Sequence, residues 1–272
     1  MKHQEFEPPE ELRDAIKCFW YNDRDFGDRE SSFEVMPDGY AEIIFYFGNT
    51  LGIYDNGALQ PLPSPFMMGL LNHPVLFRTA NRLQLFCIRC FPWTVFDLLG
   101  LPSGKDGVRI FEHPIARLQS SLSDMVKAGK VDDALAQVTQ YFLNARSLVP
   151  GDSMLSKAGV AMSEARGALP VSRVAAAAHA TIRTLERKFK ESSGHTVKDV
   201  SGLMRFEQAR NRLWLHPLSN LAGLAADLGY TDQAHLTREF KRYSGTTPAA
   251  FARNAKQDKR VLSGDFVAFI QS

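Results

Sequence analysis

Cysteine is scarce: the 272 residues hold three, Cys18, Cys87 and Cys90. An odd, low count excludes a disulfide framework and fits a reducing cytoplasm. Cys87 and Cys90 have the C-x-x-C spacing of zinc and redox sites. No second pair accompanies them, and in a strand residues three apart point to opposite faces, so two buried thiols are expected rather than a metal or redox centre. No apolar run approaches the roughly 18 residues of a membrane-spanning helix. The first eleven residues are polar and acidic with two prolines, unlike a signal peptide. A P-loop, a nucleotide-binding glycine fingerprint and a Gly-x-Ser-x-Gly elbow are all missing. These absences leave no catalytic residue, no metal and no cofactor to assign.

Charge is unevenly placed. The formal net charge is only +2, but residues 171–260 carry 16 Lys/Arg against 8 Asp/Glu, and the rest carries 16 against 22. A basic module joined to an acidic one is expected where only the basic part touches phosphate. The length suits two domains, and 44% apolar residues is ordinary for globular protein.

Within the basic part the chain repeats itself. Val171–Ala178 aligns with Leu221–Leu228 at an offset of 50, and beyond a turn the offset becomes 51. Leu185, Arg187, Phe189, Lys190, Ser193, Gly194 and Thr196 recur as Leu236, Arg238, Phe240, Lys241, Ser244, Gly245 and Thr247. A one-residue slip confined to a turn, with register kept on both sides, is what a duplicated helix-turn-helix produces. In each copy apolar residues at helical spacing (Val171, Val174, Ala175, Ala178; Leu221, Leu224, Ala225, Leu228) form a short first helix. Gly229 stops that helix in the second copy, and His179 stands in its place in the first. Thr181 and Asp232 cap a second helix. Leu185 and Phe189, or Leu236 and Phe240, point inward there. Arg183, Glu186, Arg187 and Lys190 point outward in one copy, and Gln233, Ala234, Thr237, Arg238 and Lys241 in the other. Such a face can read base edges in a major groove: Arg suits guanine and Gln suits adenine, because each makes two hydrogen bonds at once. Between the copies, Thr196–Leu215 predicts one helix about 30 Å long at 1.5 Å per residue, ended by Pro217. A strut of that length sets two recognition helices about one DNA turn, ~34 Å, apart.

The run Leu224-Ala225-Ala226-Asp227-Leu228-Gly229-Tyr230-Thr231-Asp232-Gln233-Ala234-His235-Leu236-Thr237-Arg238-Glu239-Phe240-Lys241-Arg242, closed by Gly245-Thr246-Thr247-Pro248-Ala249-Ala250-Phe251, resembles the DNA-binding domain of the AraC/XylS family of bacterial transcription regulators. The first copy departs from the pattern where Val197 replaces a proline and Val200 an aromatic. Those changes fall at the start of the linking helix, away from the base-facing residues. The resemblance implies double-stranded DNA as partner, RNA polymerase as a second one if the protein activates, and an all-α tandem helix-turn-helix over 151–260.

Residues 1–112 read as β-rich. Short extended runs (Ser32–Met36, Ala41–Phe47, Leu51–Tyr54, Phe66–Leu70, Val75–Ala80, Leu83–Phe91) are separated by Pro37-Asp38-Gly39 and other turn signals. Pro92 opens a short helix with Val95, Phe96 and Leu99 inward. Trp20, Pro37-Asp38-Gly39, Glu42-Ile43-Ile44-Phe45, Gly69 and Arg89-Cys90-Phe91-Pro92 resemble the sensor domain of one branch of AraC-type regulators, which implies a cupin-like barrel and no particular ligand. None of the seven histidines makes the His-x-His pair that a metal cupin enzyme presents. Aromatic and charged residues in or beside the strands (Trp20, Glu42, Phe45, Phe47, Phe86, Arg89) are candidates to line a pocket for a small organic effector. Amphipathic helices at Ile115–Val126 and Val131–Leu143 either pair subunits into a homodimer or pack on the barrel. Val149-Pro150-Gly151-Asp152 is the expected hinge closing a sensor domain of residues 1–150, with the helices over about 113–145. An apolar tail within 261–272 is expected to dock on the sensor domain or a second subunit. The sequence thus points to a cytoplasmic regulator that no membrane holds. A barrel that only dimerises, or an enzyme with a DNA-binding appendage, are the alternatives.

Overall fold

Ala41–Phe47 shows almost no polar alternation because its sheet is buried on both faces. In the computed structural model, which describes residues 2–261 apart from 28–29, 56–57, 105–106 and 150–152, ten strands form two antiparallel sheets. They are β1 (Lys2–Phe6), β2 (Ile16–Asp25), β3 (Ser31–Val35), β4 (Ala41–Gly48), β5 (Gly52–Asp55), β6 (Ala58–Pro61), β7 (Phe66–Met68), β8 (Val75–Thr79), β9 (Arg82–Cys90) and β10 (Val108–Arg109). The larger sheet runs β1-β2-β9-β4-β7-β10 and the smaller β3-β8-β5-β6. One face of the large sheet meets the small one through Trp20, Ile44, Leu85 and Cys87 against Phe33, Leu51 and Phe77. The other face buries Phe19, Phe45, Phe47, Phe86 and Ile88.

Three helices follow: α1 (Thr94–Leu99), α2 (Leu118–Lys127) and α3 (Val131–Arg146). Leu122, Val126, Val131, Val138 and Phe142 close over the outer face of the large sheet. Each such side chain contributes about 1.5–3 kcal/mol by leaving water. The apolar stripes of α2 and α3 are therefore spent within the chain, on the sheet. Cys87 and Cys90 fall into different cores, as the strand alternation requires.

The remaining helices are α4 (Met154–Glu164), α5 (Val171–Ala177), α6 (Ile182–Ser193), α7 (Val197–Leu215), α8 (Leu221–Asp227), α9 (Gln233–Ser244) and α10 (Pro248–Val261). The duplication persists in detail. Val174, Ala175 and Ala178 are buried in one copy, Leu224, Ala225 and Leu228 in the other. At the turn both chains enter the left-handed region, with φ of +50° at His179 and +73° at Gly229. A histidine there costs more than a glycine. Thr181 Oγ1 accepts from the Thr184 N–H at 3.2 Å, and Asp232 Oδ1 from the His235 N–H at 2.6 Å. Gly194 and Gly245 end α6 and α9, again left-handed. A reciprocal capping box between Thr196 and Asp199 starts α7. Its 19 residues span about 28 Å, with Val200, Leu203, Phe206, Ala209 and Leu213 buried among the other helices.

The two halves share a core. Leu70 and Trp93 of the sheet half belong to the cluster built by the helical half. The indole of Trp93 packs against α4, where a Cβ at Gly159 would fall 1.9 Å from the ring. It also contacts Phe189 of α6, centroids 6.2 Å apart. The Ser103 N–H donates to the Ser192 carbonyl at 2.8 Å. Residues 150–152 of the expected hinge and the apolar tail beyond Val261 lie outside the described residues.

Candidate functional site

The helix-turn-helix face follows from which side chains the packing leaves over. On α6, Arg183, Arg187 and Lys190 are exposed; on α9, Gln233, Ala234, Arg238 and Lys241 are exposed. Acids near these cations are engaged elsewhere. Glu191 pairs with Lys188 at 3.0 Å, Glu239 takes Arg205 at 2.9 and 3.1 Å, and Asp232 is occupied as a cap. Among the described residues no ion pair neutralises Arg183, Arg187, Lys190, Arg238 or Lys241. Their full charge is available to phosphate or to guanine.

Two candidates sit differently from that face. Glu186 and Thr237 occupy the same position in the two copies, and both are half-buried. Glu186 Oε2 accepts from the Val197 N–H at 3.3 Å, one of the free donors at the start of α7. Thr237 donates its hydroxyl to the Gln233 carbonyl of its own helix at 2.8 Å. Both polar groups are used to hold the unit together, which counts against either as a base reader. His235 packs edge-on to Tyr230, centroids 5.2 Å apart.

The pocket candidates divide by strand alternation. Trp20, Glu42 and Arg89 line a narrow cavity of about 40 Å³ between the sheets, walled by Phe33, Ile44, Phe66 and Phe77. Phe45, Phe47 and Phe86 point to the opposite face, under α2 and α3, and cannot line it. That corrects the sequence expectation. All three lie in strands buried on both sides, where an aromatic side chain gives no sign of which side it faces.

Sequence reasoning missed Asp38, Glu207 and Arg210. Register sets Glu42 opposite Arg89. The Arg89 guanidinium, 3% exposed, reaches Asp38 at 2.7 Å, Glu42 at 3.4 Å and Glu207 of α7 at 3.6 Å, and it stacks on the Tyr40 ring at 4.5 Å. Arg210, also on α7, donates to the Pro37 carbonyl at 3.1 Å. Three acids and two arginines thus join the Pro37–Gly39 turn and the sheet to the strut between the two helix-turn-helix units. Beyond Arg89 opens an interdomain cleft of about 450 Å³, bordered by Tyr40, Phe91, Arg166, Met204 and Gln208. The only hint in the sequence was the turn Pro37-Asp38-Gly39; nothing marked Glu207 or Arg210 among the charges of a long helix.

Burial pushes the Glu42 carboxyl up to about 7; Asp38 adds to the rise, while Arg89 and the Trp20 N–H oppose it. Glu207 shifts upward for the same reason. Folded Glu42 therefore binds its proton more tightly than unfolded Glu42. Its contribution is most favourable below about pH 4.5, declines as pH rises to about 7, and is level above that. Unfolding by urea at pH 5 and pH 8 is expected to show a smaller loss of stability with rising pH in Glu42→Gln than in the unaltered chain. Parallel profiles would exclude Glu42 as a source of the slope.

Residues 174–254 match the family model of a helix-turn-helix domain, and residues 4–105 match that of a domain of unknown function. No curated protein matches. Among solved structures, ToxT from Vibrio cholerae is 11% identical over 86% of this chain and 98% of its own, with a TM-score of 0.44. The DNA-binding domain of AdpA, a global transcriptional factor seen in complex with a target DNA, is 22% identical over 40% and 97%, with a TM-score of 0.37. A DNA-binding transcriptional dual regulator of Escherichia coli K-12 is 17% identical over 39% and 94%, with a TM-score of 0.35. Among the described residues no helix is long and apolar enough to cross a membrane, and no group of His, Cys, Asp and Glu is arranged to hold a metal. The matched helix-turn-helix domain thus coincides with the duplicated unit and its two exposed sets of cations.

Proposed function

We propose that α6 and α9 enter two successive major grooves on one face of DNA, held about one turn apart by α7, and that a small molecule bound near Arg89 alters how the sheet half holds that strut. The observation that carries the DNA reading is the equivalence of Arg187 and Arg238: same place in both copies, exposed, and with no ion pair among the described residues. Arg187 and Arg238 read bases in this scheme, Arg183 and Gln233 assist, Ala234 offers a methyl to thymine, and Lys190 and Lys241 grip phosphate. The protein acts in the cytoplasm, performs no catalysis, and works by differential affinity of the effector for two domain arrangements. RNA polymerase is a partner if the regulator activates. The domain division falls near residue 150.

Site selection from random duplexes with the full chain, repeated at several salt concentrations, tests this. Two short elements about one helical turn apart are expected. Arg187→Ala or Arg238→Ala should weaken the selected site by about 1–3 kcal/mol while leaving random DNA less affected. Lys190→Ala or Lys241→Ala should weaken both alike and reduce the salt slope by about one unit. Equal loss on both duplexes for the arginines would move them to phosphate contact.

The narrowness of the cavity favours a second reading, in which the sheets bind no effector and serve to hold and pair the chains. Under it, sedimentation should show a concentration-dependent dimer and metabolite screening should leave heat stability unchanged.

A further inference from the structure

Glu42 is held by long contacts within the buried charge cluster. It is 4% exposed. The Trp20 N–H and the Arg89 guanidinium both reach the same oxygen, Oε1, each at 3.4 Å, a length at which hydrogen bonds are weak. Oε2 takes no part in either contact. Arg89 holds Asp38 much more closely, at 2.7 Å, and is shared with Glu207 of α7. With every group ionised, Asp38, Glu42 and Glu207 outnumber Arg89 and Arg210 by one. Glu42 and Asp38 both line the cavity between the sheets, and its other walls are largely apolar.

We propose that this cavity binds a slim primary amine, its ammonium on Glu42 and its hydrocarbon chain among Ile44, Phe66 and Phe77. An ammonium supplies three donors and a positive charge where a buried carboxylate has two long contacts. A carboxylate ligand would enter a site that already has an excess of acid, and an alcohol would leave the charge unmet. The cavity of about 40 Å³ limits the ligand to a few heavy atoms, since one water needs about 10–15 Å³ by the same measure. Binding reaches the DNA-reading half because Arg89 is shared. A cation on Glu42 displaces the guanidinium toward Asp38 and Glu207, which strengthens the grip of the sheet half on α7. Burial already raises the proton affinity of Glu42, so charge on it is costly until a cation arrives. The groups facing it are Arg89 on β9, Asp38 in the turn before β4, Trp20 and Cys18 on β2, and Cys87 on β9. This proposal rests on the sheet half being the sensing element.

The test uses the full chain with n-butylamine, butyrate and butan-1-ol, equal in chain length and differing in the head. Binding is followed by heat stability and titration calorimetry, and operator affinity by fluorescence anisotropy on the selected duplex. n-Butylamine is expected to bind saturably and at least about tenfold more tightly than butyrate or butan-1-ol. Glu42→Gln should lower its affinity at least about tenfold, Asp38→Asn should lower it less, and Glu34→Gln, at an exposed strand acid, should leave it unchanged. Butyrate binding as well as the amine, an amine response that survives Glu42→Gln in a folded variant, or no saturable response to any probe would each overturn the proposal. Amine binding lost in Glu42→Gln but without effect on operator affinity would uphold the ligand class and refute the sensing reading instead.

Discussion

Arg89→Met is expected to destabilise the protein by about 3–5 kcal/mol at pH 8, measured as a lower urea midpoint, and to cost less at pH 5. Removing one partner from a buried ion cluster leaves uncompensated charge, and that cost is larger than the net value of the intact cluster. Methionine keeps much of the side-chain length and packing, so the loss reports the charge. Without the guanidinium, Asp38, Glu42 and Glu207 face one another, with Arg210 as a neighbouring cation. The pH dependence follows because Glu42 and Glu207, both already shifted upward by burial, take up protons as pH falls and relieve the surplus. The double variant Arg89→Met with Glu42→Gln should recover part of the loss, since the two side chains touch and their effects do not add. A pH-independent loss below about 1 kcal/mol would mean that the cluster contributes little to stability.

Gly159→Ala is expected to destabilise by about 1–3 kcal/mol or more and to expose Trp93, seen as a red shift in tryptophan emission. In an open helix the same change should help by about 0.5–1 kcal/mol, because glycine costs more backbone entropy than alanine. Here the added Cβ would stand 1.9 Å from the indole and 2.5 Å or less from three of its atoms. Trp93 has little room to retreat, being 3% exposed and stacked on Phe91 at 5.4 Å. Either α4 or the segment around α1 must move, and the second choice strains the Ser103–Ser192 hydrogen bond. Gly223→Ala, in α8, is the matched control, because nothing lies within 4 Å of its would-be Cβ. It should stabilise. Both glycines behaving alike would mean that the two halves separate readily in solution.

The helical half was legible because its signals are local. Caps at Thr181 and Asp232, the stop at Gly229 and the inward pairs Leu185/Phe189 and Leu236/Phe240 each act within one or two turns of helix, and repetition supplied a second reading of each. In the sheet half, Ala41–Phe47 was visible as a strand, but burial on both sides removes the alternation that tells one face from the other; hence the misplacement of Phe45, Phe47 and Phe86. The strands β1, β2, β6 and β10 escaped notice: β1 is mostly polar, β6 and β10 are short, and β2 mixes Lys17, Asn22 and Asp23 with its buried apolar residues. At the site, Trp20, Glu42 and Arg89 were identified, whereas Asp38, Glu207 and Arg210 were not. Glu207 stands more than a hundred residues from Arg89 in the chain, and only tertiary docking brings them together. Glu186 and Thr237 looked like outward readers by spacing alone; the bonds that engage them lie across a turn or along the helix, where periodicity says nothing.

The docked tryptophan makes the two repeats unequal. Through Trp93, Phe96 and Ser103 the sheets touch α6, whereas among the described residues none of the hydrogen bonds, ion pairs or ring contacts of α9 reaches the N-terminal half. The duplication supplies two similar teeth, and this fold has fastened one of them to a handle. Turning the handle leaves the chemistry of both teeth intact and changes their angle to each other. The DNA would then feel regulation in one half-site more than in the other, and operators differing only in the spacing of their halves would respond to the same signal with different strength.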